Sequence, residues 1–205
     1  MILKICGITN QDDASAAIDA GANALGFNFY PLSPRCISPA QAGEIVTTTG
    51  VRRVGVFVNE KRELVEEIVR AARLDVAQLH GNETSGDYPA AAPVWKAIRS
   101  GPNLRFAWGE LRQHDLDPAE ALLLDGPASG VPFGWAVAKG LWPTRRPHRI
   151  ILAGGLDSSN VAEAIAAVHP WGVDACSRIE STPGMKDHKK MKRFLSAAMA
   201  AGVQV

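Results

Sequence analysis

The chain is predicted to fold as a single (β/α)8 barrel, the TIM-barrel form of α/β architecture, spanning residues 1–205 as one domain. Eight short β-rich runs alternate with helical patterns from one end to the other, and no stretch between them is composed like a linker. Units of about 25 residues each suit a parallel sheet covered by helices, and eight is the number that closes such a sheet on itself. A doubly wound open sheet would carry a glycine-rich dinucleotide turn after the first strand. Cys6-Gly7-Ile8-Thr9 stands there instead.

The predicted strands are Leu3–Cys6, Ala24–Phe29, Arg53–Val58, Val76–Leu79, Val94–Ala97, Ala121–Leu124, Arg149–Ala153 and Val173–Cys176. The helices between them carry start and stop signals. Asn10 caps a helix with apolar positions Ala14, Ala17 and Ile18, which Gly21 ends. Ser38-Pro39-Ala40-Gln41 is a capping box with proline at the first helical position. Val65, Ile68, Val69 and Ala72 mark one helical face after Asn59. Val161, Ala164, Ile165 and Val168 repeat the pattern, as do Met191, Phe194, Leu195 and Ala198. At Thr84–Ala92 and Pro102–Asp115, proline, glycine and polar residues predict short or irregular helices.

Composition narrows the function. The chain of 205 residues is 46% hydrophobic and 21% charged with a formal net charge of +1. That balance favours a small-molecule partner over nucleic acid or an anionic membrane. No apolar run approaches the roughly 20 residues that cross a bilayer, and the N-terminus has no signal-cleavage pattern, so a cytoplasmic protein is expected. The three cysteines, Cys6, Cys36 and Cys176, are odd in number and match no zinc spacing. Free thiols are expected, and no metal site.

A barrel of this kind builds its site from the C-terminal strand ends and the loops after them. The polar residues there are Cys6, Arg35, Gln78, His80, Asp125, Gly154-Gly155, and Asp174 through Ser177. Strand alternation puts Lys4 and Cys6 on one face and Leu3 and Ile5 on the other. With Leu3 and Ile5 under the helices, Lys4 points inward and needs a carboxylate partner. Asp125 ends the apolar run Leu122-Leu123-Leu124, where a carboxylate serves either chemistry or a cap on the next segment. The Gly154-Gly155 pair closes strand seven before a helix, so its N–H groups can cradle a phosphate or simply form a turn.

These residues resemble the phosphoribosylanthranilate isomerase family. The resemblance begins with Lys4-Ile5-Cys6-Gly7-Ile8-Thr9 and continues in Ser33-Pro34-Arg35-Cys36-Ile37-Ser38-Pro39, Gly55-Val56-Phe57-Val58-Asn59 and Gln78-Leu79-His80-Gly81-Asn82-Glu83. It reappears in Leu123-Leu124-Asp125, Leu152-Ala153-Gly154-Gly155-Leu156 with Asn160-Val161, and Pro183-Gly184-Met185-Lys186-Asp187. The matches follow family order over nearly the whole chain.

The resemblance implies an Amadori rearrangement of N-(5-phosphoribosyl)anthranilate in tryptophan biosynthesis, without metal or organic cofactor. By matching positions, Asp125 is the general acid that protonates the furanose ring oxygen, and Cys6 the base that removes the C2′ proton. Arg35 grips the anthranilate carboxylate. Gln78 and His80 line the mouth of the pocket, and Asp174 contacts substrate or pairs with a lysine such as Lys4. Gly154, Gly155, Ser177 and Arg178 are the phosphate candidates, and proteins of this kind are monomers or homodimers.

Two stretches depart from the family pattern. Where it reads Ser-Ser-Gly-Val-Glu, this chain has Cys176-Ser177-Arg178-Ile179-Glu180, exchanging a glycine for a positive charge. Where it has Gly-Gly-Thr-Gly before Phe-Asp-Trp, the chain reads Ala128-Ser129-Gly130-Val131-Pro132-Phe133-Gly134-Trp135, with fewer glycines beside the acid. Cys36 stands where an aromatic residue is more usual. Two competing readings remain: the related aminoaldose-phosphate isomerase of histidine biosynthesis, or a bifunctional enzyme, and a phosphate-binding barrel with weakened catalysis. The histidine-pathway family has an aspartate at the end of its first strand, and this chain has Cys6.

Overall fold

The computed structural model describes residues 1–100, 118–128, 130–131 and 149–202. Eight parallel strands close into one barrel in sequence order: β1 (Ile2–Cys6), β2 (Ala24–Asn28), β3 (Arg52–Phe57), β4 (Val76–Leu79), β5 (Val94–Arg99), β6 (Ala121–Asp125), β7 (Arg149–Leu152) and β8 (Gly172–Ala175). Closure is made by β1 against β8, from Ile2 opposite Gly172 to Ile5 opposite Ala175. All eight predicted strands are present, Val76–Leu79 with both ends as expected and the others with an end shifted by one or two residues. Strand β5 runs on to Arg99, and Cys176 falls just beyond β8.

Helix α1 (Gln11–Asp19) starts at Asn10, whose side chain accepts a hydrogen bond from the Asp13 N–H, and Gly21 follows its end at a φ of 101°. Helix α2 (Pro39–Glu44) has the Ser38–Gln41 capping box with proline in its first turn. Helix α3 (Arg62–Ala71) buries Val65, Ile68 and Val69. The Asn59 side chain instead accepts from the Asn82 N–H and so links the loops after β3 and β4. After β4 only a 3-10 turn forms, Ser85–Asp87. Helices α4 (Val161–Val168) and α5 (His188–Gly202) bury the predicted apolar stripes. A short antiparallel pair, β9 (Glu180–Thr182) and β10 (Met185–Lys186), lies between β8 and α5. The unit read at Pro102–Asp115 lies outside the described residues, as do Ser129, Pro132, Phe133, Gly134 and Trp135 of the strand-six loop. Among the described residues no helix is long and apolar enough to cross a membrane.

The core has two compartments. Between sheet and helices lie Leu3, Ile5, Leu25, Phe27, Leu122, Leu152 and Phe194 with their neighbours. Inside the barrel Ala24, Val54, Val76, Trp95, Ala97, Ala121, Leu123, Ile151 and Ala153 pack together. The β1 alternation therefore holds, with Leu3 and Ile5 outside and Lys4 fully buried within. Each parallel strand is covered on both faces, which is why these runs are almost continuously apolar. A strand so fixed presents its last polar residue at the barrel rim.

Candidate active site

A cleft of about 340 Å³ opens at the C-terminal ends of the strands. All ten residues singled out from the sequence line it: Cys6, Arg35, Gln78, His80, Asp125, Gly154, Gly155, Asp174, Ser177 and Arg178. They come from six different strand ends or the loops after them, so only barrel closure brings them together.

On one side, Lys4 donates to Asp174 at 2.8 Å. This is the carboxylate partner that an inward lysine requires. Burial pushes the Asp174 carboxyl up to about 7, against the pull of Lys4, while negative charge at Cys6 adds to the rise. Burial alone would lower Lys4, but its attraction to Asp174 and Cys6 outweighs this and holds it above its ordinary value. Gly26 of β2 makes room for the group: a Cβ there would stand 2.8 Å from the Cys6 sulfur and 3.0 Å from Lys4 Nζ. Cys6 is held well below an ordinary thiol, chiefly by a hydrogen bond from Cys176. Burial opposes that shift, and the ammonium groups of Lys4 and Lys186 reinforce it.

Asp125 closes β6 on the opposite side. Its Oδ2 lies 3.0 Å from His80 Nε2, its Oδ1 accepts from the Gly126 N–H at 2.9 Å, and Arg99 Nε stands 3.9 Å away. The other ring nitrogen, His80 Nδ1, is 3.3 Å from Gln78 Nε2. Two buried acceptors at the site have no partner among the described residues, Asp174 Oδ1 and Gln78 Oε1. Such atoms cost free energy unless something donates to them, so they point to a ligand with hydroxyl or amine groups, or to a rearranged network.

Arg35 lines the cleft, but part of its guanidinium is occupied. Nε and Nη2 donate to the two oxygens of Glu180 at 2.8 and 2.7 Å, and Lys186 Nζ reaches Glu180 Oε1 at 2.8 Å. Burial alone would raise Glu180, but Arg35 and Lys186 hold it below the usual carboxylate range. Two of the five N–H donors of Arg35 are thereby used, which fixes its plane and leaves three. Sequence reasoning missed Glu180, Lys186 and Arg99. Glu180 closed the segment that departs from the family pattern, Lys186 lay within one quoted for the resemblance, and Arg99 required β5 to run two residues further than expected.

At the remaining wall Gly154 and Gly155 have φ of 78° and 62°. A Cβ on Gly154 would collide with the Gly126 backbone, so glycine is needed where β6 and β7 end side by side. Ser177 and Arg178 sit in a 3-10 turn after β8, facing Gly130 of the strand-six loop, whose Cβ would lie 3.2 Å from Ser177 Oγ. The Arg178 side chain is paired with Asp157 at 2.7 Å and remains partly exposed. Glu83, also unassigned from sequence, is structural: it accepts from the Asn59 and Gly81 N–H groups and from Lys96, stitching together the β3, β4 and β5 ends.

Known proteins are similar to this chain in sequence and in fold. Residues 3–197 match the family model described as N-(5′-phosphoribosyl)anthranilate (PRA) isomerase. The N-(5′-phosphoribosyl)anthranilate isomerase of Solibacter usitatus is 61% identical over 207 residues, covering 98% of each chain. A solved phosphoribosyl anthranilate isomerase in complex with reduced 1-(o-carboxyphenylamino)-1-deoxyribulose 5-phosphate superposes at a TM-score of 0.82, with 35% identity over 98% of this chain and 100% of that one. Mutually generated monomers of the dimeric enzyme from Thermotoga maritima superpose at 0.78, with 35% identity and the same coverage. This chain belongs to the N-(5′-phosphoribosyl)anthranilate isomerase family, the sugar-phosphate isomerases of tryptophan biosynthesis.

Proposed function

We propose that Cys6 and Asp125 are the base and acid with which this chain isomerises phosphoribosylanthranilate, the single supporting observation being that they face one cleft from different strand ends. Asp125 gives a proton to the furanose ring oxygen, the C1′–O bond breaks, and the anthranilate nitrogen becomes a protonated imine. Cys6 thiolate takes the C2′ proton, and the imine accepts the electron pair to give an enolamine. A proton then arrives at C1′ as the 2′-hydroxyl becomes a ketone, so atoms and charge balance. Because the imine is an electron sink, one modest base is enough.

The groups around Asp125 explain how it can start with a proton. With the Gln78 amide turned end for end, Gln78 Oε1 accepts from His80 Nδ1–H, and His80 Nε2 accepts from the Asp125 hydroxyl. The unpaired Gln78 oxygen gains a donor in that arrangement. After transfer, His80 Nε2–H can donate to the carboxylate. Asp174 Oδ1 accepts a hydrogen bond from a substrate hydroxyl or amine, the unused donors of Arg35 hold the anthranilate carboxylate, and the backbone at Gly154, Gly155 and Ser177 receives the phosphate. Arg178, neutralised by Asp157, adds less positive charge than a free arginine would.

The test is turnover of phosphoribosylanthranilate, followed by loss of its fluorescence. The wild-type chain consumes it, and Cys6→Ser and Asp125→Asn each do so at least about 10²-fold more slowly while binding remains. Turnover that neither substitution slows to this extent would overturn the assignment.

A further inference from the structure

The cleft holds a second thiol that the isomerisation does not use. Strand β1 pairs with β8 in parallel register up to Ile5 opposite Ala175, so the next two residues, Cys6 and Cys176, stand side by side at the rim. Neighbouring strands are about 4.8 Å apart, inside the roughly 4.4–6.8 Å Cα separation that a disulfide spans. Both residues line the cleft, and each thiol shifts the ionisation of the other. Two glycines leave space for them: a Cβ on Gly26 would lie 2.8 Å from the Cys6 sulfur, and one on Gly7 would lie 3.1 Å from the Cys176 sulfur.

We propose that Cys6 and Cys176 form an oxidisable dithiol, a site for hydroperoxides at which a reversible disulfide replaces the free catalytic sulfur and stops turnover. The two thiols are unequal, as such a site requires. Hydrogen bonding from Cys176 and the charges of Lys4 and Lys186 keep Cys6 as the thiolate, whereas the hydrogen bond to Cys6, and burial, keep the Cys176 proton in place. Lys186 Nζ stands 4.0 Å from the Cys176 sulfur. The thiolate attacks one peroxide oxygen, the O–O bond breaks, and hydroxide leaves, giving a sulfenic acid at Cys6. The Cys176 sulfur then attacks that sulfur. An S–S bond forms, the S–O bond breaks, and the departing hydroxide takes the Cys176 proton. One thiolate, one thiol and one hydrogen peroxide yield one disulfide, one water and one hydroxide, which takes a proton from solvent. Cys36 is exposed and takes no part.

Loss of turnover rests on Cys6 being the base, whereas the cross-link does not, so the two are read separately. Reduced protein is treated with hydrogen peroxide, alkylated under denaturing conditions and mapped by mass. The expected result is a peptide linking Cys6 to Cys176 with Cys36 still alkylated, turnover falling in step with the link, and both reversed by dithiothreitol. In Cys176→Ser, measured against its own starting rate, Cys6 has no partner and proceeds to sulfinic and sulfonic acids, so dithiothreitol no longer restores activity. A trivalent arsenical, which must bridge two thiols, gives a check without substitution: it blocks alkylation of Cys6 and Cys176 and spares Cys36. Oxygen adducts on wild-type Cys6 without the cross-link, or no arsenical bridge, would overturn the dithiol. A cross-linked protein at full turnover would overturn both the switch and the role of Cys6 as base.

Discussion

The two ends of the barrel treat their polar groups in opposite ways. At the N-terminal end, Glu120 accepts from Arg52 and Arg149, each at 3.1 Å, and from Trp95 Nε1 at 2.9 Å. The two guanidinium groups lie over the Trp171 ring, 5.7 and 4.8 Å from its centroid, and Trp95 meets that ring edge-on. Donors and acceptor are matched, with both guanidinium groups still partly exposed. At the C-terminal end, Asp174 and Gln78 each leave a buried oxygen without a donor among the described residues, and a cysteine is held below its ordinary pKa. One end has its polar groups satisfied by the fold. The other leaves them for a ligand, as this architecture is used when stability and chemistry are separated.

Substitutions that cut each end can break this contrast. The largest stability effect is expected from Lys4→Met, which strands the Asp174 carboxylate inside the barrel. Breaking a buried pair from one side costs about 3–5 kcal/mol, read as a lowered urea midpoint. Adding Asp174→Leu recovers much of that stability, since an apolar pair fills the space without an orphan charge. A double variant no more stable than the single one would show that the pair is not the source.

Glu120→Gln probes the other end. It removes the charge from three donors, with an expected cost of about 1–3 kcal/mol and unchanged turnover of phosphoribosylanthranilate. A fall in turnover at constant stability would mean that the Glu120 cluster is coupled to the site.

The pH dependence of Cys6 separates the ends in another way. A lowered thiol pKa keeps the charged, reactive form at lower pH, so iodoacetamide should alkylate Cys6 well below the pH of about 8.5 at which an ordinary thiol is half ionised. Exposed Cys36 is the internal reference. Equal pH midpoints for both would contradict the charge environment described for Cys6. The smallest effect is expected at Arg178→Gly. Because Asp157 already pairs with Arg178, KM should change by less than about tenfold, a difference under roughly 1.4 kcal/mol. A larger rise would show that the arginine, rather than the backbone, carries the phosphate.

Strand positions were legible because parallel strands covered on both faces read as short apolar runs. The rim residues Cys6 and Asp125 were legible because a polar residue that ends such a run has few other reasons to be there. Pairing across the barrel was not. Arg35 and Glu180 are 145 positions apart, and nothing in either neighbourhood shows that one occupies part of the other's hydrogen-bonding edge. Glu120 looks like an ordinary surface carboxylate until closure brings Arg52, Trp95 and Arg149 around it. The thiol pair was hidden for the same reason: Cys176 became a neighbour of Cys6 only when β8 closed against β1. Periodicity gives the face a residue occupies, while barrel closure decides its partners.

The central claim is that chemistry resides in the unsatisfied C-terminal rim and not in the fold's stability. It is tested most directly by kcat/KM of Asp125→Asn on phosphoribosylanthranilate, measured alongside its urea midpoint. The expected result is a fall of about 10²–10⁴-fold, the usual contribution of a positioned acid, with the midpoint unchanged or raised. A kcat/KM within tenfold of wild type, or a loss of activity that merely follows a loss of stability, would contradict it.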